Sequence, residues 1–189
     1  MIADSIPEKA KSFYQELINA HGSYSTFTTT AILRLGLIYY NENDLNKALY
    51  YYRSVFENNP TKEEIGQVLN SVQEIYIHDL NNSEGYFDFV ENIPGFNLDD
   101  TGKESLSFVA ANVPYLNGKY SNAIEAFNGY LERFPNGMYR VEALFKKANS
   151  YLELANYENA LQAFEMVIKA GAGPYYEQSL KGTSVILYE

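Results

Sequence analysis

The chain has no cysteine and no tryptophan, only two histidines, and just 14 lysines and arginines against 24 aspartates and glutamates in 189 residues. Without cysteine there is no disulfide, no thiolate metal ligand and no thiol nucleophile, a state that suits the cytosol and a bacterial periplasm equally. The formal charge of −10 and the lack of any basic run argue against a protein that grips a phosphate backbone, so nucleic acid is not an expected partner. No stretch approaches the ~20 apolar residues of a membrane span, and the opening MIADSIPEKAK lacks a basic segment followed by an apolar one. His21 and His78 stand too far apart in sequence to read as a paired metal or general-base site. Gly171-Ala172-Gly173 lacks the Gly-Lys-Ser/Thr ending of a phosphate loop and reads as a helix stop. The acid pairs Asp99-Asp100 and Glu63-Glu64 fall at helix starts, where negative charge complements the helix dipole. The sequence therefore offers no catalytic group, no metal site and no cofactor motif.

What the chain does have is a repeat. Tyr14, Tyr52, Phe89, Phe127 and Phe164 follow one another at gaps of 38, 37, 38 and 37 residues. A small residue stands four positions before each ring, at Ala10, Ala48, Gly85, Ala123 and Ala160, so two chemically opposite positions share one period. A period between about 20 and 50 residues is the mark of a solenoid whose units bury their apolar faces against their neighbours.

Each unit reads as a helical hairpin. Ala48, Tyr52 and Val55, like Ala123, Phe127 and Tyr130 and like Ala160, Phe164 and Val167, keep the i, i+4, i+7 rhythm of one helical face. A first helix precedes each, clearest at Ile32, Leu35, Gly36 and Tyr39, with aromatics recurring at Tyr76, Tyr151 and Tyr188. Short polar turns at 41–44, 81–83, 117–119 and 155–156 make the paired helices antiparallel neighbours. Ser5, Thr61 and Thr101 each precede a Glu by three residues and read as capping boxes, while Pro60, Pro135 and Pro174 follow second helices. The pattern predicts ten helices, at 6–20, 27–41, 44–58, 62–79, 83–92, 102–117, 120–133, 137–154, 157–170 and 175–188. Gly36, Ala111 and Ala148 are expected to let rings of the partner helix lie against backbone.

Ile32, Leu35-Gly36, Tyr39, Ala48, Tyr52, Val55 and Pro60 together resemble the tetratricopeptide repeat consensus, and the units around Ala123 and Ala160 follow it at their second helices. The unit around Gly85 departs from it, with Gln73 at a small position and an early Pro94. The resemblance implies an all-α, right-handed superhelical solenoid of antiparallel helix pairs over 1–189. Its units are a half repeat at 1–24, then 25–60, a degenerate 61–98, 99–135, 136–173, and a half repeat at 174–189. The two half repeats lead us to expect a segment of a longer protein, with end-to-end self-association through the exposed ends. The 37- and 38-residue intervals are similar to those of bacterial cell-envelope members, which favours the periplasm or envelope over the cytoplasm.

The resemblance further implies a non-enzymatic scaffold that binds a protein or peptide on a concave face lined by the first helices. The inward positions are then Leu33, Leu37, Tyr40 and Asn41; Asn70, Glu74 and Ile77; Phe108, Asn112 and Tyr115; and Phe145, Asn149 and Glu153. Asparagines there pair with peptide backbone and rings supply area, while Phe108, Phe145 and Leu37 also fit a purely packing role. A carboxylate clamp is disfavoured, because Leu33, Phe108 and Phe145 stand at its lysine positions although Asn112 and Asn149 match its asparagines. Two other readings compete: a sensor or targeting arm of a larger enzyme or signalling protein, and glycan capture through Tyr50, Tyr51, Tyr175 and Tyr176.

Overall fold

The four turns share a backbone solution that explains the repeat's punctuation. Asn43, Asn81, Gly118 and Ala155 all adopt positive φ, at 61°, 51°, 68° and 53°. Only Gly118 does so without a Cβ penalty. The next residue caps the following helix: Asp44, Asn82 and Asn156 accept from the amides of Lys47, Gly85 and Asn159. Lys119 holds the same place with no side-chain cap. Lys119→Asn is therefore expected to add about 1 kcal/mol, read as a shift in urea midpoint; no shift would mean that this helix start draws nothing from a cap.

The computed structural model describes residues 5–21, 26–93, 95–171 and 173–188. Within them lie ten α-helices and no strand: α1 Ser5–His21, α2 Thr26–Asn41, α3 Leu45–Ser54, α4 Lys62–Gln73, α5 Ser83–Glu91, α6 Asp100–Leu116, α7 Tyr120–Arg133, α8 Arg140–Glu153, α9 Tyr157–Lys169 and α10 Tyr176–Tyr188. Helices pack chiefly on their sequence neighbours, as hairpin repeats require. Contacts divide the chain into two units, Met1–Ile75 and Tyr76–Glu189.

The small-against-ring rule holds at most positions. Ala48, Ala123 and Ala160 are fully buried, and so, nearly or wholly, are Tyr52, Phe89, Phe127 and Phe164. Ala10, Tyr14 and Gly85 are half-buried. In α2, a Cβ on Gly36 would sit 2.7 Å from Tyr52 Cε1, so the ring rests on bare backbone. Gly85 takes the Tyr76 ring in the same way, at 2.5 Å. A pair the sequence reading missed joins Gly182 of α10 to the Phe164 ring of α9, at 2.7 Å.

Three boundaries differ from expectation by more than two residues, each for a physical reason. The α geometry of α3 stops at Ser54, and its last turn, Val55–Asn58, tightens to a 3-10 helix ahead of left-handed Asn59. The expected helix at 62–79 keeps α geometry only to Gln73, and Glu74–Asp79 widen into a π-helix that buries both Ile75 and Ile77. The helix expected from 137 starts at Arg140, because Gly137 turns beneath Glu104 and Tyr130, where a Cβ would lie 2.5 Å from Glu104 Oε1.

Of the three expected capping boxes, that of Thr61 forms in full, with Glu64 accepting from the Thr61 amide at 2.8 Å. Thr101 is not a cap. Asp99 accepts from Gly102 instead, at 2.7 Å, and Glu104 accepts the Tyr130 hydroxyl at 2.8 Å. The Ser5 box, like the side chain of His21 and like Pro94 and Ala172, lies outside the described residues. Among the described residues no helix is long and apolar enough to cross a membrane, and no group of three or more His, Asp or Glu side chains is placed to hold a metal.

Candidate functional site

In the first unit, the first helices α2 and α4 border a cleft of about 590 Å³. Leu33, Arg34 and Leu37 line it from α2, Gln67 and Asn70 from α4, and Tyr52 of α3 stands among them. The side chains project there because they lie on the α2 face opposite Ile32, Leu35 and Gly36, which pack inward. Leu37 is 40% exposed, unusual for a leucine in a well-packed hairpin. Burial pushes the Tyr52 phenol pKa up, opposed by its hydrogen bond with Ser71, so the ring is a neutral backstop. Arg34 is exposed and, among the described residues, enters no ion pair, which leaves a free guanidinium at the rim of an apolar wall. The cleft thus joins three of the expected positions, Leu33, Leu37 and Asn70. Tyr40, Asn41 and Glu74 lie outside it, Tyr40 half-buried and the other two exposed.

In the second unit, expected residues of α6 and α8 form one connected strip. Lys146 Nζ donates to Asn112 Oδ1 at 2.9 Å and pairs with Glu142 at 2.8 Å. The same ammonium lies 5.3 Å from the Phe108 ring centre and 5.7 Å from that of Tyr115, a cation held between two ring faces. Asn149 hydrogen-bonds the Tyr115 hydroxyl, whose pKa is raised first by burial. Phe145 stacks on Tyr175 at 4.9 Å, and Tyr175 in turn bonds Glu142. Glu153 is exposed at the end of α8.

Two expected contact residues are corrected. Ile77 is 0% exposed, because the π turn rotates it into the core. Phe108 is 7% exposed and stacks on Tyr139 at 4.5 Å inside the α6–α7–α8 core. Neither presents a surface to a ligand. Lys146, absent from the expected set, is the cation on this face: Phe145 takes the inward position and the lysine stem reaches back to Asn112. Its i, i+4 spacing from Glu142 was the available signal.

Compared with known protein families, residues 30–62 and 142–170 match the model described as tetratricopeptide repeat. The first match spans most of α2, α3 and the turn into α4, and the second spans α8 and α9. These two hairpins are thus similar to tetratricopeptide repeats, and the all-α arrangement of helix pairs is consistent with a helical repeat of that kind. Repeats of this family generally mediate contacts between proteins. No curated protein matches the chain significantly.

Proposed function

We propose that the chain is a non-enzymatic scaffold whose first-helix faces bind an extended segment of a partner protein, in an assembly of the bacterial cell envelope. The observation that carries this is the α2–α4 cleft, where half-buried Leu33 and exposed Leu37 adjoin the amides of Gln67 and Asn70 and Arg34, which enters no ion pair among the described residues. Apolar wall and exposed amides suit a peptide, whose backbone needs partners and whose side chains need area. The 37- and 38-residue period supports the envelope setting.

The strip of the second unit serves the same reading with a different balance. Its asparagines already bond Lys146 and Tyr115, so a ligand there meets a prearranged network with less freedom left to lose.

Peptides selected from a displayed random library against the wild-type chain test the reading. Leu33→Asp with Leu37→Asp is expected to weaken the selected peptides by about tenfold or more, since a carboxylate in the apolar wall is desolvated by the ligand. Peptides that bind these variants and an Asn112→Ala, Phe145→Ala variant as tightly as wild type would place recognition elsewhere.

A further inference from the structure

On the second-helix side of the second unit, α7 and α9 flank a groove of about 330 Å³ over α8, with Leu131, Leu144 and Met166 among its apolar lining. Arg140 and Lys147 also line it. Both belong to α8, and a seven-residue separation puts them on one helical face about 10 Å apart.

Neither cation forms an ion pair with a described residue. Among the described residues, ion pairs engage Lys11, Lys47, Lys103, Arg133, Lys146 and Lys169, but not Arg140 or Lys147. Lys147 is half withdrawn from water, and that burial lowers its pKa, with the charge of Glu132 acting the other way. Glu132 lines the same groove without forming an ion pair to either cation. The Tyr151 ring, 5.9 Å from the Lys147 ammonium, compensates only in part. A partly desolvated, unpaired ammonium beside a guanidinium is a configuration that a bound anion stabilises.

We propose that this groove binds an extended acidic segment of a partner protein, in which two carboxylates meet Arg140 and Lys147 and an apolar side chain between them rests on Leu131 and Met166. An extended chain puts residues i, i+2 and i+4 on one face about 6.6 Å apart. An acidic-x-apolar-x-acidic run therefore spans about 13 Å, within reach of two long cationic side chains rooted about 10 Å apart. Its α8 residues, Arg140, Leu144 and Lys147, are not among those of the α2–α4 cleft or of the α6–α8 strip, so it stands or falls independently of the function proposed above.

The test is fluorescence anisotropy with an end-blocked, labelled Glu-Ala-Leu-Ala-Glu peptide and its Gln-Ala-Leu-Ala-Gln counterpart. The acidic peptide is expected to saturate the wild-type chain and to weaken as salt rises. It should bind about tenfold more weakly to Arg140→Gln with Lys147→Gln, and the amide peptide should bind wild type about tenfold more weakly. Leu33→Asp with Leu37→Asp should leave acidic-peptide binding unchanged. Should the double variant lose helical circular dichroism, the single variants Arg140→Gln and Lys147→Gln carry the test, each weakening the acidic peptide by about threefold or more. No saturation by the acidic peptide, equal binding of the two peptides, or wild-type affinity in the variants that remain folded overturns the proposal.

Discussion

Phe127→Ala is expected to remove about 3–5 kcal/mol of stability, a large share of the ~5–15 kcal/mol that holds a domain folded. The ring is 0% exposed and lies at the crossing of α6 and α7, with Phe108 and Tyr115 each 6.3 Å away between ring centres. Ala123 and Ala111 in the same cluster are too small to collapse into the space left behind. The cavity therefore persists, and its energy adds to the lost transfer energy. Urea unfolding followed by helical circular dichroism measures the effect. Phe13, 59% exposed on α1, is the control, and its replacement by alanine should change stability by no more than about 0.5 kcal/mol. A loss below about 1 kcal/mol for Phe127→Ala would mean that the ring row is not the core.

Gly36→Ala is expected to destabilise by about 1–3 kcal/mol, although glycine to alanine within a helix ordinarily stabilises by about 0.5–1 kcal/mol. The sign reverses because the added Cβ would sit 2.7 Å and 2.9 Å from two carbons of the Tyr52 ring. Tyr52 is itself buried and cannot yield. Gly66 in α4 and Gly129 in α7 have nothing within 4 Å of the same position. Gly66→Ala and Gly129→Ala should therefore each stabilise the protein. Opposite signs within one fold separate close packing from helix propensity. If all three substitutions stabilised, the ring would not be lying on the backbone.

How much of this was readable before the coordinates depends on how local each determinant is. The rows at Ala48, Ala123 and Ala160 and at Tyr52, Phe127 and Phe164 were legible, because one period imposes the same burial at each. The turns were legible too, since Asn43, Asn81 and Gly118 are residue types that tolerate a left-handed backbone. Thr101 misled because the segment Asp99-Asp100-Thr101 offers several capping oxygens. The choice was made by Glu104 reaching the Tyr130 hydroxyl, a bond between distant residues. Ile77 misled for another reason: the resemblance takes the first helix as α-helical throughout, and the π segment at Glu74–Asp79 breaks that register.

The binding faces were legible by row and not by contact. Leu33, Leu37 and Asn70 do share a cleft. Lys146 escaped notice because a long flexible stem lets its ammonium serve a face that its Cα does not occupy. Arg140 and Lys147 drew no attention either, since only coordinates reveal which cations form no ion pair with a described residue.

The central claim, that backbone exposed at a small residue seats a ring of the partner helix, is most directly tested by a double-mutant cycle between Gly36→Ala and Tyr52→Leu. Small-against-ring packing predicts that Tyr52→Leu costs less in the Gly36→Ala background than in wild type, by about 1 kcal/mol or more, because the clash has lost its partner. Effects that simply add, to within about 0.3–0.5 kcal/mol, would contradict it.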